Sequence, residues 1–355
     1  MNNVENIELF FSREKREENN LKEERNKIKP KNELFLNEIE ISEKIKKMPE
    51  YLNYFDVFTD YSNMVFGELN EMSDLNEITK LRKNNAGLDE KFAIVNYKSG
   101  FYIDFYDFFL NLPTAKLFIF HIIDSFSYLI KSLLILNTNN ICFLNLSAEN
   151  IVFNGISLKP LLHNFEYGLY IKHINVDYLC QIINKLDDLS DKPLDIHVIF
   201  YLIRNNERTL SYSIITEICD NYVKNLQVLG LFSQKHKDNF KNDCIESLKK
   251  FINKPKAEII NELLTFMSSW DNYCISILFL HIVTNTIHTF SLKDTFMNKF
   301  LVLINKNIHP DFNQRESICR TIAQLDALFE EFPDWSFINS ISDEKMELLV
   351  DLLYF

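Results

Sequence analysis

The chain has 355 residues, 46% of them hydrophobic, which is enough apolar material for two domains and excludes wholesale disorder. The formal net charge of −12 disfavours general binding to nucleic acids, because an acidic surface repels the phosphate backbone. The cysteines include no C-x-x-C pair and the histidines no H-x-x-x-H or H-E-x-x-H pattern, so we expect no zinc site.

The first hundred residues alternate between charged and apolar segments, which predicts a small mixed α+β region. In chain order we predict a short strand at 7–11, an amphipathic helix at 33–48, two short strands or a hairpin at 54–69, a polar loop or surface helix at 70–90 and a strand at 92–97. The other residues before about residue 30 are charged and predict a helix end or a flexible connection.

From Asp104 onward helical patterns dominate, interrupted by two short strands around Asn154-Gly155, a dipeptide that favours hairpin turns. The predicted strands are 151–153 and 158–162, and the predicted helices are 104–112, 115–137, 175–189, 194–204, 210–225, 233–252, 256–267, 271–287, 291–306, 315–330 and 343–354. The most apolar segment, 117–136, contains Asp124 and Lys131, so we predict a buried helix there and not a membrane span.

Four segments stand out for their order along the chain. Segment 143–150, FLNLSAEN, comes directly after the long helix, and Asn164-Phe165-Glu166 comes after the strand pair. Segment 270–278, WDNYCISIL, begins a later helix, and segment 309–315, HPDFNQR, precedes the helix at 315–330.

In this order the segments resemble those of the protein kinase-like superfamily. Segment 143–150 resembles the catalytic loop H-R-D-L-x-x-x-N, and Asn164-Phe165-Glu166 resembles D-F-G. Asn37-Glu38-Ile39 falls where the glutamate of the first-lobe helix lies. The chain looks like the divergent Ser/Thr kinase-like proteins of large nucleocytoplasmic DNA viruses, over roughly residues 33–330.

The resemblance implies an α+β, protein-kinase-like two-lobed fold. Its reduced N-lobe would be residues 1–100, without a Gly-rich loop, and its large, mostly α-helical C-lobe would be residues 101–355. The number of residues between Asn164-Phe165-Glu166 and segment 270–278 implies a helical insertion at about 169–269. The only lysine that we consider for the ATP-binding lysine of the N-lobe is Lys15, in a charged run.

The resemblance also assigns roles to residues. Asn145 stands at the position of the catalytic-loop Asp, and Ser147 stands at the position of the lysine that contacts the transferring phosphate. The other assigned residues are Asn150, Asn164, Glu166 and Glu38 at degenerate cofactor-binding positions, and Phe165, Asp271 and Arg315 at structural positions. An asparagine is a neutral amide and cannot act as a base, and Mg²⁺ prefers carboxylates to amide oxygens.

We therefore expect a catalytically inactive kinase-like protein, a pseudokinase, that acts as a scaffold or binding module for a host or viral protein. The expected location is the host-cell cytoplasm or the virion, without nucleic-acid or membrane partners. We expect no cofactor and no metal, and Mg-ATP would bind only if the cleft is retained. Two alternatives stay open: an atypical active Ser/Thr protein kinase that transfers phosphate from ATP, and a helical structural protein unrelated to kinases.

Overall fold

The computed structural model describes residues 25–71, 89–186, 188–287 and 296–331. Contacts within the chain divide it into two compact units. The first unit comprises Met1–Phe105 and Glu149–Gly168, and the second comprises Tyr106–Ala148 and Leu169–Phe355. The strand predicted at 7–11 and the helix predicted at 343–354 lie outside the described residues, as does Lys15.

The described chain is a mixture of α-helices and short strands. The strands are β1 (Arg25–Pro30), β2 (Phe55–Asp56), β3 (Asp60–Val65), β4 (Lys91–Tyr97), β5 (Tyr102–Asp104), β6 (Ile141–Cys142), β7 (Ile151–Asn154), β8 (Pro160–His163) and β9 (Leu169–Tyr170). The helices are α1 (Glu33–Ile45), α2 (Phe66–Glu71), α3 (Phe105–Leu110), α4 (Ala115–Thr138), α5 (Val176–Ile183), α6 (Leu194–Arg204), α7 (Tyr212–Asn225), α8 (Gln234–Lys249), α9 (Lys256–Leu264), α10 (Trp270–Ile287), α11 (Phe296–Asn307) and α12 (Ile318–Glu331).

Two small sheets build the described part of the first unit. The antiparallel sheet has the order β1-β4-β3, and the mixed sheet has the order β2-β8-β7-β5. Helix α1 begins at its cap Asn32, whose side chain accepts a hydrogen bond from the Phe35 N–H at 3.0 Å. Phe35 then packs with Phe58 and with the β4 residues Ala93, Val95 and Tyr97, so one side of α1 joins the core of this unit.

Several predictions for the first unit are wrong in detail. The hairpin alternative for 54–69 fails, because β2 pairs in parallel with β8 while β3 pairs with β4. Strand β1 was not predicted, since its sequence RNKIKP contains a single apolar side chain between charged ones. Strand β5 was missed as well, although the predicted pairing of the strands at 151–153 and 158–162 is confirmed by the antiparallel β7–β8 contact.

The turn between β7 and β8 is not the expected hairpin turn with glycine in the left-handed region. The Asn154 side chain accepts the N–H groups of Ile156 and Ser157 at 3.0 and 2.9 Å, and Leu158 takes the positive φ of 55°. Gly155 is required for a different reason. A Cβ atom at this position would lie 2.0 Å from the ring of Phe101, whose carbonyl accepts the Gly155 N–H at 2.8 Å.

The described part of the second unit is helical apart from the short β6–β9 pair and an isolated bridge between Leu210 and Ile252. Within the described residues, which omit 288–295, the helices predicted between 175 and 330 are confirmed, although α5 ends at Ile183 and α9 ends at Leu264 before a short 3-10 turn. Side-chain caps mark where several of them begin: Thr114 caps α4, Asn175 caps α5, Ser211 caps α7 and Ser233 caps α8. Such caps satisfy N–H groups that have no partner within the helix.

Helix α4 lies at the centre of the helical core. Its Phe126 packs edge-on against Phe279 of α10 and Phe300 of α11, with ring centroids 5.2 and 5.1 Å apart. Among the described residues, the stretch Leu117–Thr138 is long and apolar enough to cross a membrane, and most of it is buried inside the protein. The helices Lys256–Leu264 and Met267–Val283, which meet at a bend of 48°, are long and apolar enough only when taken together. Burial against α10 and α11 accounts for the hydropathy of α4.

We expect Gly155→Ala to lower the free energy of unfolding by about 1–3 kcal/mol, because the added methyl group overpacks the contact with Phe101. Gly230→Ala is the matched control, since nothing lies within 4 Å of a Cβ atom there. Urea titration of both variants beside the wild type measures the difference. Equal stability of the two variants would contradict the close approach of Phe101.

Candidate functional site

A buried ion pair joins the first strand to the first helix. Lys29 of β1 and Glu38 of α1 approach within 2.5 Å, and their side chains are 14% and 2% exposed. Burial raises the pKa of Glu38, and the neighbouring Lys29 opposes this effect. Glu38 is the helix glutamate that the resemblance assigned. Its partner is Lys29, which sequence reasoning missed because β1 was not recognised as a strand, and Lys15 lies outside the described residues.

Asn164 completes this contact with both ends of its amide. Its Oδ1 accepts a hydrogen bond from Lys29 Nζ at 3.0 Å. Its Nδ2 donates to Asn150 Oδ1 at 3.1 Å and to Glu166 Oε1 at 3.2 Å. The lysine can only donate, so these partners together fix which end of the amide carries oxygen. Four of the assigned residues, Glu38, Asn150, Asn164 and Glu166, are thereby brought together.

The backbone around Asn164 is held by α1. Asn164 has a φ of 63°, in the left-handed region that asparagine tolerates, and a 3-10 turn follows it. Asn37 of α1 donates from its Nδ2 to the carbonyls of Glu166 and Gly168, both at 2.8 Å. Phe165 is 1% exposed and packs edge-on against Phe55, with centroids 6.0 Å apart. The helix therefore fixes both the turn and the side chains that extend from it.

Strand β1 carries two further cations on the face that bears Lys29, because alternate residues of a strand point to the same side. Arg25 forms an ion pair with the buried Asp56 at 2.9 Å, and its guanidinium lies 3.9 Å from the ring centroid of Tyr102. Lys27 Nζ lies 5.7 Å from the ring centroid of Tyr97. Burial is the largest effect that lowers the pKa of Lys27, and the charges of Lys29 and Arg25 lower it further.

His163, at the end of β8, is affected by all three cations. Burial lowers its pKa to about 3, and the charges of Lys27, Arg25 and Lys29 contribute in the same direction. A hydrogen bond to the Glu149 backbone opposes the shift only in part. The imidazole is therefore neutral at physiological pH, and Lys27, Arg25 and Lys29 share one region of the first unit with it.

The assigned catalytic-loop residues belong to the second unit. Asn145 and Ser147 are half-buried on the loop after β6. Asp271, at the start of α10, holds this loop by accepting the N–H groups of Phe143 and Leu144 at 2.7 and 2.9 Å. Leu144 has a φ of 64°, which is unfavourable for a leucine, so the Asp271 carboxylate stabilises a strained backbone.

Arg315 forms a second buried contact in this unit. Its Nη2 lies 2.6 Å from Asp195 Oδ2, and both side chains are fully buried. Asp195 also accepts a hydrogen bond from Trp270 Nε1 at 3.1 Å, and Arg315 Nε donates to the His309 carbonyl at 3.0 Å. The beginnings of α6, α10 and the segment before α12 are thereby joined. Asp195 was not assigned from the sequence, and its only signal was the helix start after Pro193.

Comparison with known proteins gives little further information. No family model matches the sequence, and no curated protein matches it. Among solved structures, the chain is similar to the twitchin kinase region from C. elegans (Fn31-NL-kin-CRD-Ig26), at 12% sequence identity and a TM-score of 0.40. The match covers 85% of this chain and 40% of that one, so the chain spans less than half of the twitchin structure. This likeness assigns neither an activity nor a ligand to the chain.

Asp271→Ala should lower the free energy of unfolding by about 3 kcal/mol, because two buried N–H groups lose their acceptor at once. Asp326→Ala, an exposed aspartate of α12, is the control and should change stability by less than about 0.5 kcal/mol. Urea titration gives the free energies, and hydrogen exchange of the Phe143 and Leu144 amides locates the effect. Unchanged protection of those two amides would contradict the assigned contact.

Lowering the pH should destabilise the protein through His163. Its pKa is 6.5 when unfolded and about 3 when folded, so the unfolded state binds the proton first and stability falls as the pH drops below 6.5. Between pH 7 and pH 5 this linkage amounts to about 2 kcal/mol, which His163→Gln should abolish. His173→Gln, at an exposed histidine, should leave the pH dependence as in the wild type. Urea titrations at pH 7 and pH 5 measure the free energy of unfolding of each protein. An equal decrease in the wild type and in His163→Gln would refute the prediction.

Proposed function

We propose that this chain is a kinase-like protein that does not transfer phosphate and that acts by binding another protein. The observation that supports this most concerns Asn164, to which the resemblance assigns the position of the metal-binding aspartate and which uses both ends of its amide within the chain. Phosphoryl transfer depends on metal ions that neutralise the developing charge, and on a group that orients the nucleophile. At both of the positions that the resemblance assigns to these roles, 164 and 145, this chain has an asparagine.

The amide group of Asn164 donates hydrogen bonds to oxygens that could otherwise serve as metal ligands. Its Nδ2 lies between the oxygens of Asn150 and Glu166, at 3.1 and 3.2 Å, and carries partial positive charge toward each. Those oxygens are the remaining candidates for a metal ligand set. Mg²⁺ would need them at about 2.1 Å, together with water and phosphate oxygens, in a nearly octahedral arrangement. An N–H₂ group among these oxygens satisfies them without a cation.

Asn145 supports the same proposal from the second unit. A neutral amide cannot accept the hydroxyl proton of a substrate at ordinary pH. Loss of a positioned general base typically lowers a rate by about 10² to 10⁴. Asp271 nevertheless holds the loop of Asn145 in a strained shape.

The ion pair between Lys29 and Glu38 supports kinase ancestry, because active kinases depend on an ion pair between a strand lysine and a helix glutamate. In this chain, Lys29 contacts Asn164 as well, and Asn37 anchors the turn after it. The pair therefore holds strand, helix and turn in one arrangement. We propose that this fixed arrangement serves recognition of a host or viral protein in the cytoplasm or virion.

An atypical active Ser/Thr kinase is the second candidate. It is favoured by the Lys29–Glu38 pair and by the Glu166 carboxylate, two residues after the lost aspartate. In that case Glu166 would hold the metal, and Glu166→Ala would abolish both Mg-ATP binding and phosphate transfer. The hydrogen bond from Asn164 to Glu166 argues against this candidate, because the Glu166 carboxylate already accepts a hydrogen bond from within the chain.

A phosphate-transfer assay tests the proposal. We expect the full chain, incubated with Mg²⁺ and labelled ATP, to label neither itself nor a generic basic substrate. Labelling that Asn145→Ala or Asn164→Ala abolishes would overturn the proposal and establish the atypical kinase.

The same experiment includes a variant that restores the missing charge. Asn164→Asp places a carboxylate beside Glu166 and Asn150, so Mg²⁺ should raise the melting temperature of the variant and not of the wild type. Asn26→Asp is the control, because it adds the same charge at an exposed position of β1. An equal Mg²⁺ effect on both variants would mean that Asn164 has no special place in a metal site.

A further inference from the structure

Lys27 is a half-buried cation between two cations that each pair with a carboxylate. On the same face of β1, Arg25 is paired with Asp56 and Lys29 with Glu38. Within the described residues, Lys27 has neither a hydrogen-bond acceptor nor a carboxylate in ion-pair contact, and its ammonium contacts the ring of Tyr97. Burying a charge without such a partner is costly, so the folded chain retains a charge that a ligand can neutralise.

The electrostatic surroundings of Lys27 are positive. The carboxylates of Asp56 and Glu38 offset the effect of Arg25 and Lys29 on the pKa of Lys27 only in part. An anion placed at Lys27 therefore gains from Arg25 and Lys29 as well, without competing for a partner that Lys27 already holds.

The aromatic rings at this site are already covered. The Arg25 guanidinium lies 3.9 Å from the centroid of Tyr102 and 5.4 Å from that of Tyr97, and Lys27 Nζ lies 5.7 Å from the latter. A nucleotide base binds best by stacking on an open aromatic or apolar face. Here the chain's own cations occupy the ring faces, so the site offers charge and lacks a place for a base.

We propose that the face of β1 formed by Arg25, Lys27 and Lys29 binds a compact inorganic polyphosphate, without a base and without a metal ion. The phosphate oxygens pair with Lys27 and lie within the field of Arg25 and Lys29. Metal ions weaken this binding, because they neutralise the charge that Lys27 recognises. The assignment does not depend on the absence of phosphate transfer.

Calorimetric titration of the full chain in EDTA tests this site with tripolyphosphate, ATP and adenosine as probes. We expect tripolyphosphate to bind, ATP to bind no more tightly, and adenosine not to bind. Lys27→Met should weaken tripolyphosphate at least about tenfold, as the loss of one charge-assisted contact implies. Lys27→Arg should keep the affinity within about threefold, and Lys47→Met, an exposed lysine of the same unit, should leave it unchanged.

Residue-level protection gives an independent readout. Acylation of lysines at pH 8, followed by mass spectrometry, should show that tripolyphosphate protects Lys27 and leaves Lys47 exposed to the reagent. Lys27→Met removes a buried charge among cations, so we expect it to fold at least as stably as the wild type, which urea titration verifies.

Three results would overturn the proposal: no heat at millimolar tripolyphosphate, ATP binding more than tenfold tighter than tripolyphosphate, or equal weakening by Lys27→Met and Lys47→Met. The first means that the charge is not used, the second that a base is recognised, and the third that attraction is unspecific.

Phosphate transfer by the chain would refute the proposed function and leave this site standing. Failure to bind tripolyphosphate would refute this site alone.

Discussion

The first unit depends on the contact among Lys29, Glu38 and Asn164, which come from a strand, a helix and a turn. A lysine and a glutamate this deeply buried must neutralise each other, because either one left alone would be a buried charge. The distance between strand and helix is thereby fixed. Asn37, one residue before Glu38, then fixes the turn after Asn164 through two carbonyls. Strand, helix and turn form one polar core beside the apolar one.

A neutral residue at position 164 follows from the charges around it. Lys29 is already neutralised by Glu38, and Glu166 lies 3.2 Å from the Asn164 amide nitrogen. A carboxylate at 164 would face Glu166 and the Asn150 oxygen without a metal ion to hold them together. The amide instead accepts from the lysine and donates to both oxygens, so every partner is satisfied. The site is stable as it stands, without the ion that an aspartate there would require.

How much of this could be read from the sequence differs from residue to residue. Glu38 and Asn164 were singled out because the resemblance to kinases assigns a role to each, and the structure brings the two side chains together around Lys29. Lys29 was not found, since a six-residue strand with one apolar side chain has no periodic signal and takes its shape from pairing with β4. The role of Gly155 was equally hidden. It depends on Phe101, which is distant in sequence and meets the turn only in the folded chain.

The second unit keeps its charges where backbone depends on them. Asp271 holds two N–H groups of a loop in which Leu144 is strained, and Asp195 neutralises the fully buried Arg315. An asparagine at either position would leave a buried group without an adequate partner, at a cost of several kcal/mol. Asn145 is half-buried and lies outside these contacts between Asp271 and the backbone. Charge is thus present in the second unit where a strained backbone and a buried arginine require it.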